Sequence, residues 1–297
     1  MNHPPYLKKG DKIAITCPAK SLKAPMKDAI ALLEFWGLEV VLGKTINAVH
    51  FQFSGTDELR AADMQTFIDD HEIKAIIAAR GGYGCIRIVD EINWASLVKN
   101  PKWIIGFSDI TVFHMQLQKM ELQSLHAQMP STISESSKAG LESLRKALFG
   151  EKIEYIFPST LDNKTGVCEG ELVGGNLTLL TSCIGSTNDI DYNNKILFIE
   201  DVGEYAYAID RMIRTLDRAG KLKNLSGLVV GGFTNIKQDD PPFGYSVNEI
   251  ISLIANKYDF PICFNFPAGH LPDNRALALG RKAKLEINSA DVRLAFI

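Results

Sequence analysis

Residues 101–118 read PKWIIGFSDITVFHMQLQ. An apolar run, Trp103-Ile104-Ile105, ends at Gly106-Phe107-Ser108-Asp109, and an amphipathic pattern begins at once. The stretch predicts a strand, a sharp turn and a helix, with Ser108 at the corner. A serine there is lifted off the sheet beside the free N–H groups of a helix start, as a nucleophile is on its elbow. Serine and aspartate before a helix are also what capping selects, so the same residues fit a plain N-cap.

Upstream, residues 12–17 form a short apolar strand closed by Pro18. Met26, Ile30, Leu33 and Phe35 recur at helical spacing over residues 25–36, and Gly37 ends the pattern. A second strand covers 39–42 and a second helix 57–70, with Leu59, Met64, Phe67 and Ile68 inward. Ala75-Ile76-Ile77-Ala78-Ala79 is apolar throughout, as a buried parallel strand is. It runs into Arg80-Gly81-Gly82-Tyr83-Gly84 and then a third helix through Ile92. Strands alternating with helices in this way indicate βαβ units and a doubly wound, flavodoxin- or Rossmann-like parallel sheet. In such sheets ligands bind beyond the carboxyl ends of the strands. The Arg80–Gly84 turn and Ser108 both sit at those ends.

The periodicity weakens over residues 157–169, a stretch rich in Pro, Thr, Asn, Asp and Gly, which reads as a linker. The expected division is an α/β domain over 1–156 and a smaller mixed α/β domain over 170–297 with a partly closed β-sheet. In the second part, a short strand ends at Gly174-Gly175 and a helix starts at Asn176. The strand 195–199 ends at Glu200-Asp201, and a helix follows over 208–218 with Arg211, Arg214 and Arg218 outward. After an apolar strand at 227–233, Ser246 and Glu249 form a capping box at the head of a helix over 246–258. A strand at 261–266 and three short strands from Leu277 onward complete the pattern.

The chain of 297 residues has a net charge of -3, which gives no footprint for nucleic acid or an anionic membrane. Its N-terminal residues lack the apolar core of a signal peptide, and no apolar run reaches the ~20 residues of a membrane helix. The chain reads as cytoplasmic. The five cysteines are scattered and form no C-x-x-C pair, and the six histidines form no H-x-x-x-H pair. A disulfide framework, a structural zinc and a metallohydrolase are therefore not expected. Cys85, just past the glycine-rich turn, is the one thiol placed where a nucleophile would be. Neither G-x-G-x-x-G at the first helix nor a P-loop is present, so a nucleotide-binding role ranks low and no cofactor is expected.

An activated serine needs a base, and the base needs an orienting group. Glu200 ends the apolar run Ile196-Leu197-Phe198-Ile199. His270 lies in Phe266-Pro267-Ala268-Gly269-His270-Leu271-Pro272, where proline on both sides stiffens the loop. The chain order Ser…Glu…His is that of the α/β-hydrolases, but their elbow is G-x-S-x-G, and here the fifth position is Ile110. A convergent triad on another scaffold is the better reading.

Five segments carry a resemblance over nearly the whole chain. They are Arg80-Gly81-Gly82-Tyr83-Gly84, the run from Ile105 to Thr111, the run from Glu169 to Leu177, Phe198-Ile199-Glu200-Asp201-Val202-Gly203-Glu204 followed by Asp210-Arg211-Met212, and Gly269-His270. With these the sequence resembles the LD-carboxypeptidases of the S66 serine peptidase family, which includes muramoyltetrapeptide carboxypeptidases and microcin-immunity peptidases. The resemblance implies Ser108 as nucleophile, Glu200 as acid and His270 as base, with Glu204 a rival for the acid. It also implies a murein peptide substrate and a homodimer. The family often has His-Gly-Pro where this chain has His126-Ala127-Gln128-Met129-Pro130, which leaves His126 open between a substrate role and a structural one. The N–H of Asp109 and that of Gly81 or Gly82 are the expected oxyanion donors. Arg80 or Arg211 is expected to meet the substrate carboxylate, with Tyr83 and Asn176 as further cleft residues.

Overall fold

The computed structural model describes residues 2–297. Its first five strands are β1 (Lys12–Thr16), β2 (Glu39–Leu42), β3 (Ile73–Ala78), β4 (Trp103–Gly106) and β5 (Ser124–His126). They pair in parallel in the order β2-β1-β3-β4-β5. The order turns back between β1 and β3, as in a doubly wound sheet.

Strand periodicity explains the layers on either side. Ile13, Ile15, Ala75 and Ile77 point to one face and pack with Ala29 and Leu33 of the helix Lys27–Phe35 and Leu144 and Leu148 of the helix Lys138–Phe149. Ala14 and Ile76 point to the other face and meet Met64, Phe67 and Ile68 of the helix Asp57–Asp69. Phe113 and Leu117 of the helix Thr111–Lys119 join that second layer. Each fully buried Ile or Leu is worth roughly 1.5–3 kcal/mol relative to exposure, so both faces of this sheet are strongly held.

The second sheet contains β6 (Glu154–Pro158), β7 (Gly166–Asn176), β8 (Lys195–Val202), β9 (Gly227–Thr234) and β10 (Ile262–Cys263). After β11 (Leu277–Leu279), the strands β12 (Lys282–Ile287) and β13 (Asp291–Phe296) complete it. The order is β10-β9-β8-β7-β12-β13-β6, parallel from β10 to β7 and antiparallel from β7 to β6. The expected partial closure is corrected by this order, because the sheet is open and ends on β10 and β6. Closure removes exposed edges, and these edges are blunted by other means. β10 has only two residues, and β6 ends in Pro158 and pairs Glu154 with Lys152 and Arg293 at its start.

Residues 157–169 hold the end of β6 and the start of β7. β11 does not join its neighbours in sequence. It crosses to the first sheet and pairs antiparallel with β5, Leu277 opposite His126. The expected third helix through Ile92 is also corrected. Two 3-10 turns, Cys85–Arg87 and Val89–Glu91, precede a short helix Ala95–Lys99. β-branched Ile86, Ile88, Val89 and Ile92 disfavour a continuous α-helix there.

Candidate active site

The corner after β4 is built by Gly106 and Ser108. Gly106 has φ +156, and a Cβ on it would stand 2.8 Å from Ile110 Cγ1. Ile110 therefore folds back over a glycine that precedes the serine by two, without needing one two residues after it. Ser108 itself has φ +64, a left-handed angle that costs a serine on the order of 1–3 kcal/mol. It opens the 3-10 turn Ser108–Ile110 that leads into the helix Thr111–Lys119, and its side chain makes no capping bond. An N-cap residue has extended backbone and a bonded hydroxyl, so the capping explanation fails on both counts. The half-buried Ser108 hydroxyl takes part in no hydrogen bond among the described residues.

The turn after β3 lies against it. A Cβ on Gly81 would come within 3.1 Å of Ser108 Cβ and 3.3 Å of its Oγ, so a side chain there would crowd the serine. Two latches hold the turn. Buried Asp109 accepts the Cys85 N–H at 2.8 Å, and its own carboxyl is pushed up in pKa by burial. Arg60, fully buried, donates to the carbonyls of Pro18 and Gly84 and pairs with Asp57. Among the described residues the N–H groups of Gly81, Gly82 and Asp109 take no acceptor. They are available to an oxyanion. Cys85 is buried, and burial followed by the Asp109 carboxylate pushes its thiol pKa well up, which removes it as a nucleophile.

Glu200 lies on β8, fully buried, opposite Asn176 in the β7–β8 register. Its Oε2 is 2.6 Å from His270 Nδ1. A carboxylate only accepts, so Nδ1 carries the proton and Nε2 is left to exchange one. Gly269, at φ +111, permits the approach, since a Cβ there would be 2.8 Å from Glu200 Cβ. Its N–H donates to Asn274 Oδ1 at 2.8 Å. From beside β5 of the first sheet, Gln128 Nε2 donates to the Pro272 carbonyl at 3.2 Å, and from β9 Thr234 Oγ1 donates to the His270 carbonyl at 3.3 Å. The imidazole meets the Phe107 ring edge to face at 4.9 Å, one residue from Ser108, and both line one cavity. Burial alone would raise the Glu200 pKa, but the adjacent His270, by its charge and its hydrogen bond, and the nearby His126 lower it overall. For His270 burial lowers the pKa, and the Glu200 carboxylate outweighs it, so the net shift is upward.

The LD-carboxypeptidase N-terminal domain family matches residues 13–127, and the LD-carboxypeptidase C-terminal domain family matches residues 169–285. The probable murein peptide carboxypeptidase of Bacillus subtilis is 35% identical over 295 residues, 95% of this chain and 91% of that protein. This chain belongs to the S66 LD-carboxypeptidase family. The murein tetrapeptide carboxypeptidase of Pseudomonas aeruginosa is 29% identical over 290 residues, 93% of this chain and 94% of that one. The crystal structure of muramoyltetrapeptide carboxypeptidase from Oxalobacter formigenes matches with a TM-score of 0.87 and 30% identity, over 96% of this chain and 98% of that chain.

In this S66 serine carboxypeptidase the other expected residues fall in different places. Glu204 accepts from Thr178 Oγ1 at 3.3 Å and is not on His270. Arg80 donates to the Ser21 carbonyl at 2.8 Å and lines a groove with Lys23, Ser131, Thr132 and Ser134. Tyr83 is exposed near the Phe53 ring. Arg211 lies over the exposed Tyr207 ring and lines neither the Arg80 groove nor the His270 cavity. Asn176 is buried, caps the helix Leu177–Ser182, and donates to Asp201 at 2.8 Å. Its backbone N–H donates to Thr111 Oγ1 at 3.0 Å, which ties β7 to the helix behind Ser108. Buried Asp201 has its pKa raised to about 6, by burial first and then by Glu200.

Sequence reasoning missed Arg60, Gln128 and Asn274. Arg60 had a signal, since it stands four residues before Met64 and seven before Phe67, inside the apolar stripe of its helix. Gln128 had none, because its partner Pro272 is distant in sequence, and Asn274, which accepts from Gly269 five residues earlier, looks like any loop asparagine.

Proposed function

We propose that this enzyme hydrolyses the amide bond before a C-terminal D-alanine of murein tetrapeptides through Ser108, His270 and Glu200. The observation that carries this reading is the Glu200–His270 pair at 2.6 Å, set beside a left-handed serine that has no other partner. Ser108 Oγ attacks the scissile carbonyl while His270 Nε2 takes its proton. The oxyanion that forms is met by the N–H of Asp109 and that of Gly81 or Gly82, each donor worth about 3–4 kcal/mol in the transition state. His270 then protonates the departing D-alanine amine. A water, deprotonated by the same imidazole, releases the acyl group from Ser108. Glu200 holds the tautomer and stabilises the imidazolium.

The groove of Arg80 and Lys23 shares Thr132 with the cavity at His270, so the two adjoin, and Phe107, next to Ser108, lines the second. Arg80, with its other guanidinium nitrogens uncommitted, is assigned to a carboxylate of that peptide. The names of the relatives support murein as the substrate class. The reading is tested by comparing a tetrapeptide ending in D-alanine with the same peptide amidated at its C-terminus. Turnover of the free acid alone is expected. Equal turnover of the amide would overturn the carboxypeptidase assignment of this site.

A further inference from the structure

Two buried polar groups face each other between the sheets, and each carries an atom with no hydrogen-bond partner among the described residues. His126, at the end of β5, is fully buried, and both its ring nitrogens lack a hydrogen bond among the described residues. Glu200 Oε1, the oxygen not used by His270, also lacks one. The two are 4.0 Å apart, His126 Nε2 to Glu200 Oε1. A phenylalanine would fill the same space between Phe107 and Phe198, whose ring centroids lie 5.8 and 4.9 Å from the imidazole. An imidazole there loses the hydration of two nitrogens and regains nothing in this geometry.

We propose that His126 is a positioning residue: with substrate bound, its Nε2–H donates to Glu200 Oε1, so the carboxylate is held on both oxygens. The proposal rests on the Ser108–His270–Glu200 reading above. The gap must shorten by about 1 Å to reach hydrogen-bond length, and catalytic hydrogen bonds are commonly long before substrate binds. The need follows from the carboxylate's own freedom. Its terminal torsion is broad, so one bond to His270 leaves Oε2 able to swing off Nδ1. A second bond on Oε1 fixes the plane.

The other charged or titratable neighbours do not supply that bond. Asp201, next along β8, is an acceptor engaged by Asn176 and Thr178. His114, from the helix behind His126, is bonded to Ser124 and to the Gly106 carbonyl, and burial lowers its pKa to about 3, so it is neutral.

The test measures kcat, KM, pH profile and melting temperature of His126→Phe and His126→Gln on the D-alanine tetrapeptide. His126→Phe is expected to lower kcat about 10- to 100-fold, the worth of a hydrogen bond to a charged group, with KM within about twofold. Its acid limb should move to higher pH, because Glu200 then pulls harder on His270, and its melting temperature should not fall. His126→Gln, which keeps a donor, should recover most of kcat. On a Glu200→Gln background, His126→Phe should change the residual kcat by less than about twofold. Wild-type kcat in His126→Phe, an undiminished effect on the Glu200→Gln background, or a melting loss that His126→Gln does not share with rescue would each overturn the proposal. Ser108→Ala in the same assay separates the two readings, since normal turnover by that variant removes the triad itself.

Discussion

Ser108 adopts a backbone angle that a serine reaches only when its surroundings over-determine it, and those surroundings are Gly106, Ile110 and Gly81. Glu200 and His270 are coupled in a way that fixes the sign of a pH effect. The His270 pKa is raised above its ordinary 6.5. The stability it contributes is complete below 6.5 and is lost as pH rises through the raised value. Catalysis needs the opposite, a neutral imidazole, so the active form is the one in which this charge pairing has been given up. The acid limb of kcat/KM is therefore expected above pH 6.5, and in Glu200→Gln the residual limb should fall below it, because burial then outweighs the weaker pull of Asp201. A wild-type limb at or below 6.5 in a pH–rate profile would contradict the pairing. At this scale the sequence shows where to look: Ser108, Glu200 and His270 each follow an apolar run, where ligands meet such sheets, and the structure brings Glu200 and His270 into contact. Asn176 was not. A glycine-flanked asparagine looks the same in sequence whether it lines a cleft or, as here, caps a helix and binds a buried aspartate.

The elements that matter most are the turns after β1 and β3, and one side chain from the helix Asp57–Asp69 joins them. Arg60 is buried, and its carbonyl partners Pro18 and Gly84 have no route to water through it. Arg60→Leu is expected to cost about 3 kcal/mol in chemical denaturation, as loss of a buried ion-pair partner does, and to lower kcat/KM by loosening Gly81. Arg87→Leu removes the exposed partner of the same Asp57 and should cost no more than about 1 kcal/mol. Equal costs would show that Arg60 does not hold the turn. Element existence was readable from periodicity for the long helices and buried strands. It failed at 85–92, where apolar spacing that suits a helix is met by two 3-10 turns, and at β7, whose first residues alternate in burial within a stretch that looked like linker.

On the scale of the whole molecule, Ser108, the proposed nucleophile, follows a strand of the first sheet, while Glu200 lies on the second sheet and His270 in a loop beside it. Their alignment depends on contacts between residues far apart in sequence. β11 crosses back to pair with β5, Gln128 holds the loop after His270, and Asn176 donates to Thr111. The apolar core is likewise shared, with Ile77, Trp103 and Leu125 in one packed group with Phe198, Ala268 and Leu294. Such pairings leave no local signature, which is why the sequence indicates two α/β parts without saying how they meet. Activity is the most direct report that they do, because neither part holds all three of the proposed catalytic groups. The decisive measurement is release of D-alanine from a murein tetrapeptide by the wild-type enzyme and by Ser108→Ala. The account predicts release by the wild type and a loss of at least about a thousandfold in kcat in the variant; near-normal release by Ser108→Ala would contradict it.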